Sequence, residues 1–401
     1  MSLSVIALRR YPRALTPDRV EVIERSVERR VKAAYALLFF NTLTFFAGIS
    51  ALPFPSKVGK GIAQASLPLA ILLLLTVNKK LKIRPNVFLC IVSLLVADGV
   101  ITAMAVHHPG TIFRTFRFAE YVFALWLLTP WWGRRDLMLL RFHLKCLYVA
   151  IGSVFVGLCV APGHAFEYDG RLTGVIWPLL PTVIGQLAAV AAGLTILLWL
   201  GHELSGRRTL AGVGFAVAIL LLTHTRTALV ALIAGLIIAG LSLFTVNARV
   251  RKLFGIGVVT VSLVVVTAAG FITTWLARGQ STSQLTGLTG RTDFWALVLN
   301  LPRDRFQEIF GFGLSNASVN GLPIDSNWLS SYLQEGLWGV GVCAMILLFL
   351  LAASLFQPPG LRRAVVLFIV TYCLIASFTE DAFTDVSTYL LHLFVAASLL
   401  V

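Results

Sequence analysis

The amino-acid sequence predicts an all-α membrane protein of about twelve transmembrane helices, with one large extracytoplasmic loop that contains short helices. Three observations predict it. Of the 401 residues, 58% are hydrophobic and only 13% are charged, where soluble domains carry roughly 25% charged residues. Apolar runs recur along the chain at about the 20-residue length that a spanning helix needs. Lysine and arginine then alternate in density from one connecting segment to the next.

A mean hydropathy of +0.86 leaves more apolar surface than a water-soluble fold can hide, so lipid is the expected solvent for most of it. Disorder is excluded, because it requires low hydrophobicity. Cys90, Cys146, Cys159, Cys343 and Cys373 are odd in number, and all but Cys146 lie well inside apolar runs, so a secreted disulfide framework is excluded too. No cysteine or histidine cluster has zinc spacing.

Taken in order, the apolar runs centre near residues 33–53, 59–77, 86–106, 118–132, 146–162, 176–200, 209–223, 227–246, 253–276, 334–356, 364–379 and 386–401. Ahead of the first run, residues 1–32 carry many arginines and no long apolar core before a cleavage site. They are expected to remain on the mature protein rather than act as a signal peptide. Thr16 suits a helix N-cap, with Pro17 at the first helical position. Val20, Ile23, Val27 and Val31 share one face, while Glu21–Arg25 and Glu28–Lys32 are i,i+4 pairs. This predicts a basic amphipathic helix lying on the inner leaflet. Residues 33–276 then hold helices one to nine, 277–327 the extracytoplasmic loop, and 328–401 a re-entry and helices ten to twelve.

Sorting charge by alternate segments places about 23 of the 33 Lys and Arg residues on one side and about 10 on the other. Positive charge marks the cytoplasm, so both termini are expected inside a bacterial cytoplasmic membrane. The net charge of +15 is then mostly topology, and no nucleic-acid partner is expected.

The outer side has few cations, so each one matters more. Arg226 stands in Thr223-His224-Thr225-Arg226-Thr227, between two apolar runs. An arginine so near hydrocarbon has a partner or ligand, unless it snorkels to the headgroups. Arg171 stands in Gly170-Arg171-Leu172-Thr173-Gly174, where flanking glycines let a ligand or backbone approach. Arg291 precedes Asp293 and Trp295, and either caps its helix, pairs with Asp293 or reaches a phosphate. Arg114 and Arg117 read equally as headgroup or substrate contacts.

Asp325 lies where the long loop re-enters the membrane. A carboxylate there is open to desolvation, which suits a general base, and it equally suits a helix N-cap. Asn327, Glu380, Asp381 and Asp385 are candidates for contacting sugar hydroxyls or pairing with the arginines. The intramembrane carboxylates Asp98 and Glu120 have no assigned role; Asp98 is protonated or paired in the bundle, and Glu120 is placed to pair with Arg117. His224 is a second proton acceptor or a packing residue, and His107–His108 a headgroup pair rather than a metal site.

These segments resemble the O-antigen ligase and O-antigen polymerase superfamily of bacterial membrane glycosyltransferases. The resemblance covers roughly residues 165–345. It rests on Arg171 with Gly174, the Thr223-to-Thr227 turn, Arg291 with Trp295, Gly311 with Gly313, and Asp325, Leu329, Gly336 and Gly339. Ligases of this family usually carry histidine where this chain has Asp325, which leans toward a polymerase.

The resemblance implies an inverting transfer of a polyprenyl-diphosphate-linked oligosaccharide to a hydroxyl of a glycan or lipid-core acceptor. Arg171, Arg226 and Arg291, helped by Arg114 and Arg117, would supply the countercharge that a metal supplies elsewhere; no Asp-x-Asp occurs. Asp325 would take the acceptor proton. Neither a cofactor nor a metal is expected, and the need for a chain-length regulator stays open. The alternative from another class is a lipid-linked-glycan flippase or other secondary transporter, which should place charges at mid-bilayer on broken helices.

Overall fold

The structure is a computed structural model, and it describes residues 17–43, 55–134, 136–167, 170–253, 255, 291–314, 318–319, 322–380 and 383–401. These residues are almost entirely helical: α1 (Pro17–Thr42), α2 (Ser56–Val77), α3 (Val87–Val106), α4 (Pro109–Leu128), α5 (Met138–Val160), α6 (Pro181–Leu200), α7 (Gly206–Leu222), α8 (Arg226–Phe244), α9 (Arg291–Leu299), α10 (Arg305–Phe310), α11 (Asn327–Phe356), α12 (Leu361–Ala376) and α13 (Thr388–Ser398). The strands among the described residues form two short antiparallel pairs, β1 (Phe166–Glu167) with β2 (Arg171–Leu172) and β3 (Ser318–Val319) with β4 (Leu322–Pro323).

Among the described residues, six helices are long and apolar enough to cross a membrane: α2 from Lys57, α3, α5, α6, α8 and α11. The shorter α7, α12 and α13 and the more charged α1 and α4 pack beside them. The ninth expected span, 253–276, lies almost wholly outside the described residues.

α6 is the central helix, buried along most of its length. Its small residues make that position accessible. A Cβ on Gly193 would come within 2.0 Å of the Phe368 ring of α12, and one on Gly235 of α8 within 2.8 Å of the same ring. Lipid gives little hydrophobic drive between helices, so close backbone approach through small residues sustains dispersion contact. α12 is thereby wedged against α6 and α8.

A polar thread runs through the same core. Tyr35 Oη of α1 lies 2.8 Å from His143 Nδ1 of α5, and His143 Nε2 lies 2.8 Å from His392 Nδ1 of α13. Gln186 of α6 reaches His392 Nε2 at 3.2 Å and the Thr388 hydroxyl at 2.8 Å. Each link needs one donor and one acceptor, so the thread is satisfied with both imidazoles neutral. Nothing in the local sequence around these residues announces it.

Several element boundaries differ from expectation. α1 runs unbroken through residues 32–33, and Val27 and Val31 pack against the bundle core. The apolar face that suits an interface suits a neighbouring helix equally well. α4 begins at Pro109 with His108 as its N-cap, so Arg114 and Arg117 are helical. His107 closes α3 in the left-handed conformation (φ 53°), which makes the histidine pair a set of helix caps. α11 begins at Asn327, before its apolar run, and bends at Gly336.

The bundle has two chemically distinct ends. One carries Arg84, Arg134, Arg141, Arg249, Arg251 and Arg362, several of them bonded to helix-end carbonyls. Arg134 and Arg141 are also paired to Asp136 and Glu203 there. The opposite end gathers the N-terminal ends of α4, α6, α8, α11 and α13 with the C-terminal end of α12, and there the candidate residues meet.

Candidate functional site

α7 and α8 are joined by a turn in which His224 is left-handed (φ 49°) and Thr225 is the α8 N-cap. The turn is built from below and from the side. Gly185 of α6 passes beneath it, where a Cβ would stand 2.7 Å from Thr225. The Thr225 hydroxyl donates to Pro181 O at 3.1 Å. Arg171, on β2, donates from Nε to Thr223 O at 2.9 Å and from Nη2 to Thr225 Oγ1 at 3.3 Å. Arg171 therefore straps the turn that carries Arg226. Gly174 serves its own chain rather than a ligand, since a Cβ there would meet Trp177 O at 2.2 Å.

Arg226 is the first residue of α8 and half-buried. Beside it, the Thr227 and Thr379 hydroxyls share a 2.8 Å hydrogen bond. Thr379 lies just beyond α12 and next to Glu380.

The same stretch of chain receives α11. Ser377 O accepts from the Asn327 N–H at 2.9 Å, and Ser377 Oγ accepts from Trp328 Nε1 at 3.1 Å. Asn327 is fully buried, and its Oδ1 accepts from the Phe383 N–H at 2.7 Å. Its described bonds make it a staple between α11 and the segment after α12. Asp325 lies two residues earlier, half-buried, and Ser326 rather than Asp325 occupies the N-cap position. Asp385 pairs with Arg114 of α4 at 3.8 Å. Arg117 turns to α1, where Nη2 reaches Asn41 O and Oδ1 at 3.3 Å each, so the expected pair with Glu120 is replaced. Only the backbone of Arg291, at the start of α9, is described, and Asp381 lies outside the described residues.

The structure thus brings Arg171, Arg226, Arg114, Asp325, Asn327, Glu380 and Asp385 to one end of the bundle. Sequence reasoning gave Thr227 no role of its own and missed Ser377 and Thr379; these three join the Arg226 side to the Asn327 side. A signal existed: Ser377-Phe378-Thr379-Glu380 closes an apolar run with two hydroxyls and a carboxylate.

Arg303 counts among the outer-side cations but had no role assigned; it lies 3.9 Å from the Tyr332 ring centroid and donates to Tyr332 O at 2.7 Å. That cation clamps the α9–α10 connection onto α11. Burial pushes its guanidinium below its ordinary pKa.

The Gly-x-Gly and Gly-x-x-Gly pieces fit into each other. Gly336 (φ 64°) breaks α11, and the carbonyls of Leu333 and Gln334 accept instead from Phe312 N and Gly313 N, each at 2.9 Å. A Cβ on Gly336 would stand 2.4 Å from Ile309 O, and one on Gly311 2.4 Å from Gln334 O. The loop after α10 is latched into the kink and reaches α3, where Leu314 lies against Gly99. Gly336→Ala combines left-handed strain with this clash and is expected to cost about 1–3 kcal/mol or more. A thermal unfolding scan in detergent checks it, and an unchanged Tm would contradict the latch.

Asp98 of α3 is fully buried, and neither carboxylate oxygen has a hydrogen-bond partner among the described residues. The alternative of pairing within the bundle is therefore not met there.

Chemically, this end of the bundle gathers guanidinium groups and carboxylates, with Arg114 and Asp385 already paired. Such an arrangement can hold an anion next to a group able to accept a proton. No protein-family model matches the chain, and no curated protein matches it either.

Proposed function

We propose that the chain is a polytopic glycosyltransferase of the O-antigen polymerase or ligase type. It transfers a polyprenyl-diphosphate-linked glycan to an acceptor hydroxyl at the outer face of a bacterial cytoplasmic membrane. The observation that carries this reading is the meeting of the strapped Arg226 turn and the Asp325–Asn327 entry of α11 on the same turn of α12. That juxtaposition sets countercharge for a leaving diphosphate beside a base for the attacking hydroxyl, as a direct displacement with inversion requires.

The segregation of cations supports the orientation. The end opposite the site carries the basic connections, so it faces the cytoplasm, and the site faces outward. Twelve spans complete this layout, with the shorter α7, α12 and α13 and the segment 253–276 counted among them. The arginines act in place of a metal. A chain-length regulator is a candidate partner if the enzyme is a polymerase.

The test uses purified protein in lipid vesicles with a polyprenyl-diphosphate-linked repeat unit, no other acceptor, and EDTA present. Products are resolved on a gel that separates single repeats. A ladder that grows in EDTA is the expected result. Loss of the ladder on adding EDTA would overturn metal independence, and a ladder absent with and without EDTA would overturn the polymerase reading. One observation favours a second reading: the buried Asp98 suits a coupling site in a flippase or other transporter. Flipping of the same lipid in the same vesicles, lost in Asp98→Asn, would support it.

A further inference from the structure

Arg226 opens α8 and Asp325 immediately precedes the N-cap of α11, and these helices reach the site from different parts of the chain. Both helices are anchored on one short stretch, the end of α12. The α8 side is held by the 2.8 Å hydrogen bond between the Thr227 and Thr379 hydroxyls. The α11 side is held by Asn327 N–H on Ser377 O at 2.9 Å and Trp328 Nε1 on Ser377 Oγ at 3.1 Å. Ser377 is fully buried, and its hydroxyl in turn donates to Leu374 O at 2.7 Å, which fixes its rotamer. Asn327 Oδ1 then ties the following segment back through Phe383 N–H at 2.7 Å. Below this stretch, the Phe368 ring is wedged between Gly193 and Gly235, so α12 is not free to slide against α6 or α8.

We infer that the end of α12 is a positioning platform. Thr227, Thr379 and Ser377 touch neither donor nor acceptor; they set the spacing between the cationic turn and the carboxylate. The inference rests on the glycosyltransferase reading and adds residues that act through Arg226 and Asp325. In a displacement reaction the leaving diphosphate and the attacking hydroxyl must be held in line, and an ångström of misplacement is costly in rate. A bond between two hydroxyls is well suited to this task, because it is short and links two helix ends directly.

The Thr227–Thr379 bond gives the cleanest test, because each partner has a near-isosteric apolar replacement. Thr227→Val, Thr379→Val and the double variant are assayed in the same vesicles with the lipid-linked donor and a separate glycan acceptor, so that each is varied independently. Each single change is expected to lower kcat on the order of 10- to 100-fold while both KM values stay within about twofold. The double variant should match the singles, since all three remove the same bond. Thr379→Ser, which keeps the hydroxyl, should restore most of the rate.

Unchanged kcat with a lowered Tm would overturn the inference and leave the pair as helix packing. Multiplying effects in the double variant, or a rise in either KM alone, would overturn it as well. A wild-type protein that makes no product with either a glycan or a lipid-core acceptor would instead remove the glycosyltransferase reading, and the platform with it.

Discussion

Asp325→Asn is expected to abolish glycan transfer while the protein still inserts, folds and binds donor. General-base assistance typically contributes about 10²–10⁴-fold, and an amide of the same shape cannot accept the acceptor proton. Because the amide has the shape of the carboxylate, the change is expected to leave the fold in place. Asp325 is half-buried and precedes the N-cap, and the Asn327 bonds tie down the start of α11. Donor KM should therefore be kept and kcat lost. Full activity in Asp325→Asn would remove it as the base. A loss of both activity and thermal stability would show a structural role in place of a chemical one. Asn327→Ala gives the contrast. It removes a buried staple, so it should lower Tm along with activity.

Arg226→Ala should weaken donor use by 10²-fold or more, about 2.7 kcal/mol of transition-state countercharge. Arg226 is the first residue of α8, so its charge adds to the positive end of that helix where a leaving diphosphate would sit. Arg291→Ala is expected to act in the same direction. Arg171→Ala should differ in kind. Two of its nitrogens serve the Thr223-to-Thr225 backbone and hydroxyl, so its loss should loosen the turn and depress Tm as well as rate. The measurement is kcat/KM for the donor beside a thermal scan for each variant. Unchanged donor kinetics in Arg226→Ala would sink the assignment of this turn as the diphosphate side.

Much of the site was legible because its residues break local rules. Arginine between two apolar runs, as at Arg226, and a carboxylate at the end of a long polar segment, as at Asp325, are conspicuous in a linear reading. What those residues touch was not legible. Arg171 bonds to a turn 52 residues away, and Thr227 to a partner 152 residues away. Gly170 and Gly174 looked like room for a ligand, yet Gly174 accommodates its own chain. Arg117 was matched to Glu120 by helix spacing, but Asn41 of α1 takes its guanidinium. Spacing along one helix cannot register a neighbour brought in by packing.

The sequence by itself determined that this is a helical protein with membrane-length apolar segments, because hydropathy and helix length are local properties that lipid selects directly. It also determined the separation of charge between the two ends, since that follows from composition between successive runs. Only the tertiary structure decided that Gly311 and Gly336 belong to one latch. It alone placed two histidines from distant helices in a single buried thread, and it alone brought Arg226, Asp325 and Arg114 to one end of the bundle. The physical reason is that hydrogen bonds between helix ends, and glycines that let helices touch, depend on which helices become neighbours. That choice is made by the packing of the whole bundle.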